Sequence, residues 1–362
     1  MGPTLRAHRL FRHTPLLLGI VLAVIVGSSQ PVSALVIDPT FDTSITLNVN
    51  ALQIENAIDT AITTIDGLYG NTVTIPVTFT YTPAAAGNLS SNADTFYDIS
   101  YSSYVSLLTA DSLANPANTV LATALAHLGQ GNDANGARDI ALSFAQLAML
   151  EQVPVDSLSG DADTVGIPTS VLNINSNANF ALGPTVPSNQ YDLTGAVEHE
   201  LDEVLGGGGA GSVLNKLTGP CVSDPTGFFC DTDRPLDLYR YSAPGTPSFT
   251  TAPNATAYFS IDGGVTKIVN FNQNPNGDYG DFAPPGAGNG QLIQNAFNQT
   301  GQDEPYTTSS PEYKMMEAIG WDPIAQDDGN QPPPPVPEPS TLSLLLGGLG
   351  SLWLRRRGNR SK

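Results

Sequence analysis

The chain has 362 residues, with 34 acidic against 14 basic side chains and a formal net charge of −20. A surface that negative repels phosphate backbones and anionic lipid, which excludes nucleic acid as a partner. The length is enough to bury a full core, as one domain or as two lobes.

The first 34 residues read as a secretory signal. Arg6, Arg9 and Arg12 precede a short apolar run at 16–26, and Val32-Ser33-Ala34 offers small residues for cleavage. Beyond that cut, residues 51–69 carry Ile54, Ile58, Ala61, Ile65 and Leu68 on one face and predict an amphipathic helix. Residues 71–81 alternate Val73, Ile75, Val77, Phe79 and Tyr81 and predict a half-buried strand. Pro76 argues for an edge or a bulge within it. Helices are expected at 101–113 and 118–128, a buried segment of either type at 139–150, and a strand at 170–176.

The stretch 192–206 organises the rest. Leu193, Val197, Leu201, Val204 and Leu205 form an apolar stripe, Asp192 is placed to cap the start, and the glycine run 206–209 ends the helix. His199 and Glu203 stand four apart and project side by side, a pair able to hold a divalent metal. Glu200 points about 100° away from His199 and is placed as general base toward an attacking water. The arrangement is the HExxH of zinc peptidases with Glu203 at the second His. Gly206 also fits the metzincin pattern HExxHxxGxxH, whereas Gly209 stands at its third ligand.

Cys221 and Cys230 are the only cysteines, and export makes a disulfide between them the default, with a two-thiolate metal site as the weaker alternative. Asp231-Thr232-Asp233 and the Asn-, Gly- and Asp-rich stretch 270–290 are candidate calcium cradles, with plain surface loop as the alternative. Residues 258–261 and 267–271 flank Asp262-Gly263-Gly264 and predict a hairpin. A closing helix is expected at 311–319, then a proline-rich linker at 326–335. Val336-Pro337-Glu338-Pro339-Ser340, the apolar run Leu342–Leu354 and Arg355-Arg356-Arg357 resemble the PEP-CTERM sorting signal of Gram-negative bacteria, spanning 336–362. That resemblance implies Sec export, a transient inner-membrane anchor and processing by an exosortase, leaving the protein periplasmic, at the cell surface or secreted.

The chain from 35 to 325 resembles a family of PEP-CTERM-bearing bacterial proteins classed as metalloproteases with an HExxE motif. The resemblance rests on His199-Glu200-Leu201-Asp202-Glu203-Val204-Leu205-Gly206, Leu236–Gly245, Ala257–Gly264, Gly280-Asp281-Phe282 and Glu317–Asp322. Gly207 departs from it, standing where the family usually carries Arg. The implied fold is α+β and metzincin-like. It has a mixed sheet and helices ahead of the metal-binding helix (lobe 35–206) and a loop-rich lobe after it (207–325). The implied activity is zinc-dependent hydrolysis of a protein or peptide substrate, with structural calcium as a further cation. For the third metal ligand the expectation is Asp237, held inward by Leu236 and Leu238 in a matching block, with Asp233 and Asp231 in reserve; His127 is not expected to ligate. Tyr239 and Tyr241 are candidate oxyanion donors, with packed aromatics as the alternative. A non-catalytic surface or matrix protein, with a vestigial or calcium-binding site, is the competing reading.

Overall fold

The alternation of Ile75, Val77 and Phe79 makes a strand whose three apolar side chains are all buried. The computed structural model describes residues 35–128, 139–163, 168–209, 214, 232–287, 289–303 and 305–324. They fall in one compact unit, Val32–Asp328, and their architecture is α+β. The expected signal at 1–34, Cys221 and Cys230, the linker at 326–335 and the sorting signal at 336–362 lie outside the described residues. No helix among the described residues is long and apolar enough to cross a membrane.

The chain runs β1 (Val36–Phe41), α1 (Thr43–Thr46), α2 (Ala51–Asp66), β2 (Thr74–Thr82), β3 (Ser90–Asp94) and β4 (Phe96–Ser100). Next come α3 (Tyr101–Ala114), α4 (Thr119–His127), β5 (Asp139–Ser143) and α5 (Phe144–Glu151). β6 (Asp161–Ala162), β7 (Ser170–Asn175), β8 (Phe180–Ala181) and β9 (Tyr191–Asp192) lead into α6 (Leu193–Val204). After it stand β10 (Thr232–Asp233), β11 (Arg240–Ala243), β12 (Thr246–Pro247), β13 (Tyr258–Phe259), β14 (Val269–Asn270) and α7 (Pro311–Ala318).

The first sheet has the order β1-β2-β7-β3. β1, β2 and β7 are parallel, and β3 runs antiparallel along β7 as the edge strand. Pro76 therefore lies in an interior strand. Pairing with β7 begins only at Val77, so at Pro76 β2 is flanked by β1 alone and tolerates a missing N–H. The segment at 139–150 is neither all strand nor all helix: it is a strand that becomes a helix at Ser143, whose hydroxyl accepts from the Gln146 amide. The hairpin forms as expected, with Tyr258 opposite Asn270 and Phe259 opposite Val269.

α2 packs its Ile54, Ile58, Ala61 and Ile65 stripe inward and lies against α6, which in turn lies on β3 and β7. Trp321, fully buried just after α7, donates its indole N–H to the carbonyl of Leu205 at 2.9 Å. That bond satisfies an orphan carbonyl at the end of α6 and ties the final segment to the site.

One carboxylate here makes stability depend on pH. Burial raises Asp66 to about 6, against a hydrogen bond from the Ile37 amide. The folded pKa exceeds the unfolded one, so the folded chain holds the extra proton between them. Stability is full below about pH 4 and is lost as pH rises through 6. Asp66→Asn keeps an acceptor for Ile37 and should gain about 1 kcal/mol at pH 7, a figure discounted for its half-exposed position. Urea unfolding at pH 7 and pH 3 checks this, with no gain expected at the lower pH.

Candidate metal centre

Asp192 caps α6, its carboxylate accepting from the Thr194 amide at 2.9 Å. The helix ends where Gly206 takes φ +100°, a conformation an L side chain rarely adopts. Between these signals, Leu193, Val197, Leu201 and Val204 are fully buried, which fixes the rotation of the helix. His199, Glu200 and Glu203 then face a cleft of roughly 730 Å³. Its walls are β3 on one side and residues 276–278 and 295–298 on the other.

His199, Glu203 and Asp281 each offer a ligand atom, and these atoms lie within 4.8 Å of one another. His199 Nε2 stands 3.2 Å from Glu203 Oε1 and 3.7 Å from Asp281 Oδ2. Its Nδ1–H donates to the carbonyl of Ile293 at 3.0 Å, which leaves the Nε2 lone pair directed at the two carboxylates. One imidazole and two carboxylates are a donor set for a divalent cation. Burial works against a charged His199, yet the carboxylates of Asp281 and Glu203 reverse this and raise its pKa. Asp281 itself is pushed up by burial, with His199 pulling the other way. The cluster is thus short of positive charge, and that shortage is what a cation relieves.

Asp281 reaches the site through glycine. The Gly280 amide donates to the Gly209 carbonyl at 3.0 Å, and a Cβ at 280 would lie 2.3 Å from that oxygen. Gly209 N–H then donates to Asp281 Oδ1 at 2.7 Å. The glycine run after α6 is therefore more than a helix stop; it is the surface on which the third member of the cluster rests.

Glu200 is buried beside this group, and its Oε2 accepts from Asn92 Nδ2 at 2.9 Å. The same nitrogen donates to Glu203 Oε2 at 2.6 Å, so one edge-strand amide bridges the two carboxylates. Burial and then Glu203 push the Glu200 pKa up, which makes its carboxylate a stronger base than an exposed one. Arg234 lines the same cleft with its guanidinium 4.5 Å from the centre of the Phe96 ring.

Asp237 is not in the cluster. It is buried as expected, but its carboxylate accepts from the Arg234 amide at 2.9 Å and caps the short 3₁₀ turn Pro235–Tyr239. Asp233 is paired into the second sheet on β10, and Asp231 lies outside the described residues. His127 ends α4 with Nδ1–H donating to the Thr123 carbonyl, away from the cleft. Tyr239 is a core residue: its hydroxyl donates to the Ala318 carbonyl at 3.0 Å. Tyr241 is buried on β11, and neither tyrosine lines the cleft. Within the expected calcium cradle at 270–290, Asn272 Oδ1 accepts from the Asn274 amide and Asn274 Oδ1 from the Asn276 amide, while Asp281 joins the group able to hold a metal. Gly207, the departure from the family pattern, packs against two thioethers: a Cβ there would lie 2.6 Å from both Met315 Cε and Met316 Sδ, so a longer side chain must displace those two side-chain ends.

Asp281, Asn92, Gln294 and Arg234 were not singled out from sequence. Asp281 alone had a signal, since it lies in the Gly280-Asp281-Phe282 block. Comparison with protein-family models, curated proteins and solved structures returns no match to this chain.

Proposed function

We propose that this chain is an exported zinc-dependent peptide hydrolase of metzincin-like architecture. The observation that carries the reading is the convergence of His199, Glu203 and Asp281 on one side of an open cleft, with Glu200 one residue from the histidine. In it, His199, Glu203 and Asp281 hold the metal, and the metal supplies Lewis acidity toward the scissile carbonyl. Glu200, oriented by Asn92, takes the proton of the attacking water and returns it to the leaving amine. β3 supports a peptide substrate: it is an edge strand along the cleft, and an extended chain can pair with such an edge. Three parallel strands with an antiparallel edge strand beside the HExxE helix support the metzincin-like part of the reading. In this reading the segments at 1–34 and 336–362 act as export and sorting signals, so the activity would lie outside the cytoplasm, after exosortase processing and a transient membrane anchor.

A two-carboxylate donor set also suits a hard cation, which favours a second reading as a calcium-holding, non-catalytic surface protein. Metal analysis of the purified protein with a peptide-cleavage assay separates the two. The hydrolase requires about one zinc per chain and cleavage that a chelator abolishes. Calcium alone, or metal-independent cleavage, sinks it.

A further inference from the structure

We propose that Gln294 is a fourth protein ligand, through its side-chain carbonyl oxygen; this rests on the metal-centre reading above. Gln294 is fully buried, and its Nε2 lies 3.1 Å from Asp281 Oδ1 and 3.4 Å from His199 Nε2. The amide nitrogen thus stands as close to the imidazole nitrogen as the two ligand carboxylates do, at 3.2 and 3.7 Å. Two ligand atoms about 2.1 Å from a zinc ion at the tetrahedral angle are separated by about 3.4 Å, the separation that Gln294 Nε2 keeps from His199 Nε2.

Its other amide atom is anomalous. Oε1 is buried and has no hydrogen-bond partner, an unfavourable state for a carbonyl. A half-turn about the last side-chain bond exchanges Oε1 and Nε2 without changing the shape of the group. In the orientation observed, the side-chain NH2 donates to Asp281 Oδ1 and faces His199 Nε2. A cation would take the lone pairs of both and repel the hydrogens, and the rotated amide offers it a carbonyl oxygen. The main chain of Gln294 is held by hydrogen bonds at both its N–H and its carbonyl. The Gln294 amide donates to Glu312 Oε1 at 3.0 Å, its carbonyl accepts from Phe282, and a Cβ on Gly208 would lie 2.1 Å from Nε2. Glu203 and Asp281 already offset a divalent charge, so the fourth protein donor is a neutral one, and the water on which Glu200 acts takes a fifth position.

The test uses the full chain stripped of metal and titrated with zinc and with cobalt against a chromophoric chelator. Gln294→Met should weaken zinc binding about 10- to 100-fold and change the cobalt absorption spectrum, as solvent replaces the amide oxygen. Gln294→Glu should bind at least as tightly as the wild type, because a carboxylate oxygen takes the same place. Near-ultraviolet circular dichroism of both apo variants confirms the fold. A Gln294→Glu variant as weak as Gln294→Met overturns the proposal, because Gln294 then serves only as a donor to Asp281. So does an unchanged cobalt spectrum in Gln294→Met. A wild-type chain that binds neither metal removes the metal-centre reading itself, a distinct outcome.

Discussion

Glu200→Gln should lower peptide hydrolysis by at least about 100-fold while zinc content stays at the wild-type level. The size follows from the role. A positioned base contributes about 10²–10⁴-fold, and a neutral amide cannot accept the proton of the attacking water. The selectivity follows from geometry: Glu200 is outside the His199, Glu203 and Asp281 group, so the metal does not depend on it. The change is nearly isosteric, and the new side-chain carbonyl still accepts from Asn92, whose nitrogen lies 2.9 Å from Glu200 Oε2. Relief of a buried carboxylate should leave the fold no less stable. Measured kcat/KM on a cleaved peptide, with zinc determined on the same sample, decides the matter. Activity at the wild-type level removes Glu200 from the mechanism.

Asp281→Ala should cost more than about 100-fold in zinc affinity, beyond the 10–100-fold typical of residues that only orient a ligand. It removes one of the two carboxylates that face His199 and also the acceptor of the Gly209 amide. Asp237→Ala is the contrasting case. It should keep zinc and lose stability, at least about 1 kcal/mol, from the cap on the 3₁₀ turn and from the negative charge that faces buried Arg234 and Arg240. Chelator competition gives the affinities and denaturant unfolding the stabilities. Zinc lost from the Asp237 variant and kept by the Asp281 variant would reverse the assignment.

The contrast between Asp237 and Asp281 shows how far sequence carries. Flanking leucines do hold Asp237 inward, and it is 2 % exposed. Burial alone does not say which polar group receives the carboxylate, and the nearest was the amide of Arg234, three residues back. Tyr239 and Tyr241 depart from the expected oxyanion role for a similar reason: Tyr239 closes the 3₁₀ turn with its hydroxyl on the Ala318 carbonyl, Tyr241 lies on β11, and neither lines the cleft. Asn92 was out of reach for another reason. The strand Ser90–Asp94 consists of small and polar residues with no apolar periodicity, so nothing marked it as a strand.

What the sequence determined by itself was local. The helix from Leu193 to Val204, its Asp192 cap, its glycine end and the shared face of His199 and Glu203 all follow from 3.6-residue periodicity and capping chemistry. The helix at 51–66, the strand around Ile75–Phe79 and the hairpin at Gly263-Gly264 follow from the same short-range rules. The tertiary structure decided everything that depends on two distant segments meeting. It brought Gly280 onto the backbone of Gly209, and so Asp281 to His199. It also set β3 at the sheet edge beside α6, and so Asn92 onto Glu200 and Glu203. Those approaches depend on the absence of a Cβ and on sheet order, and neither leaves a periodic trace in the chain.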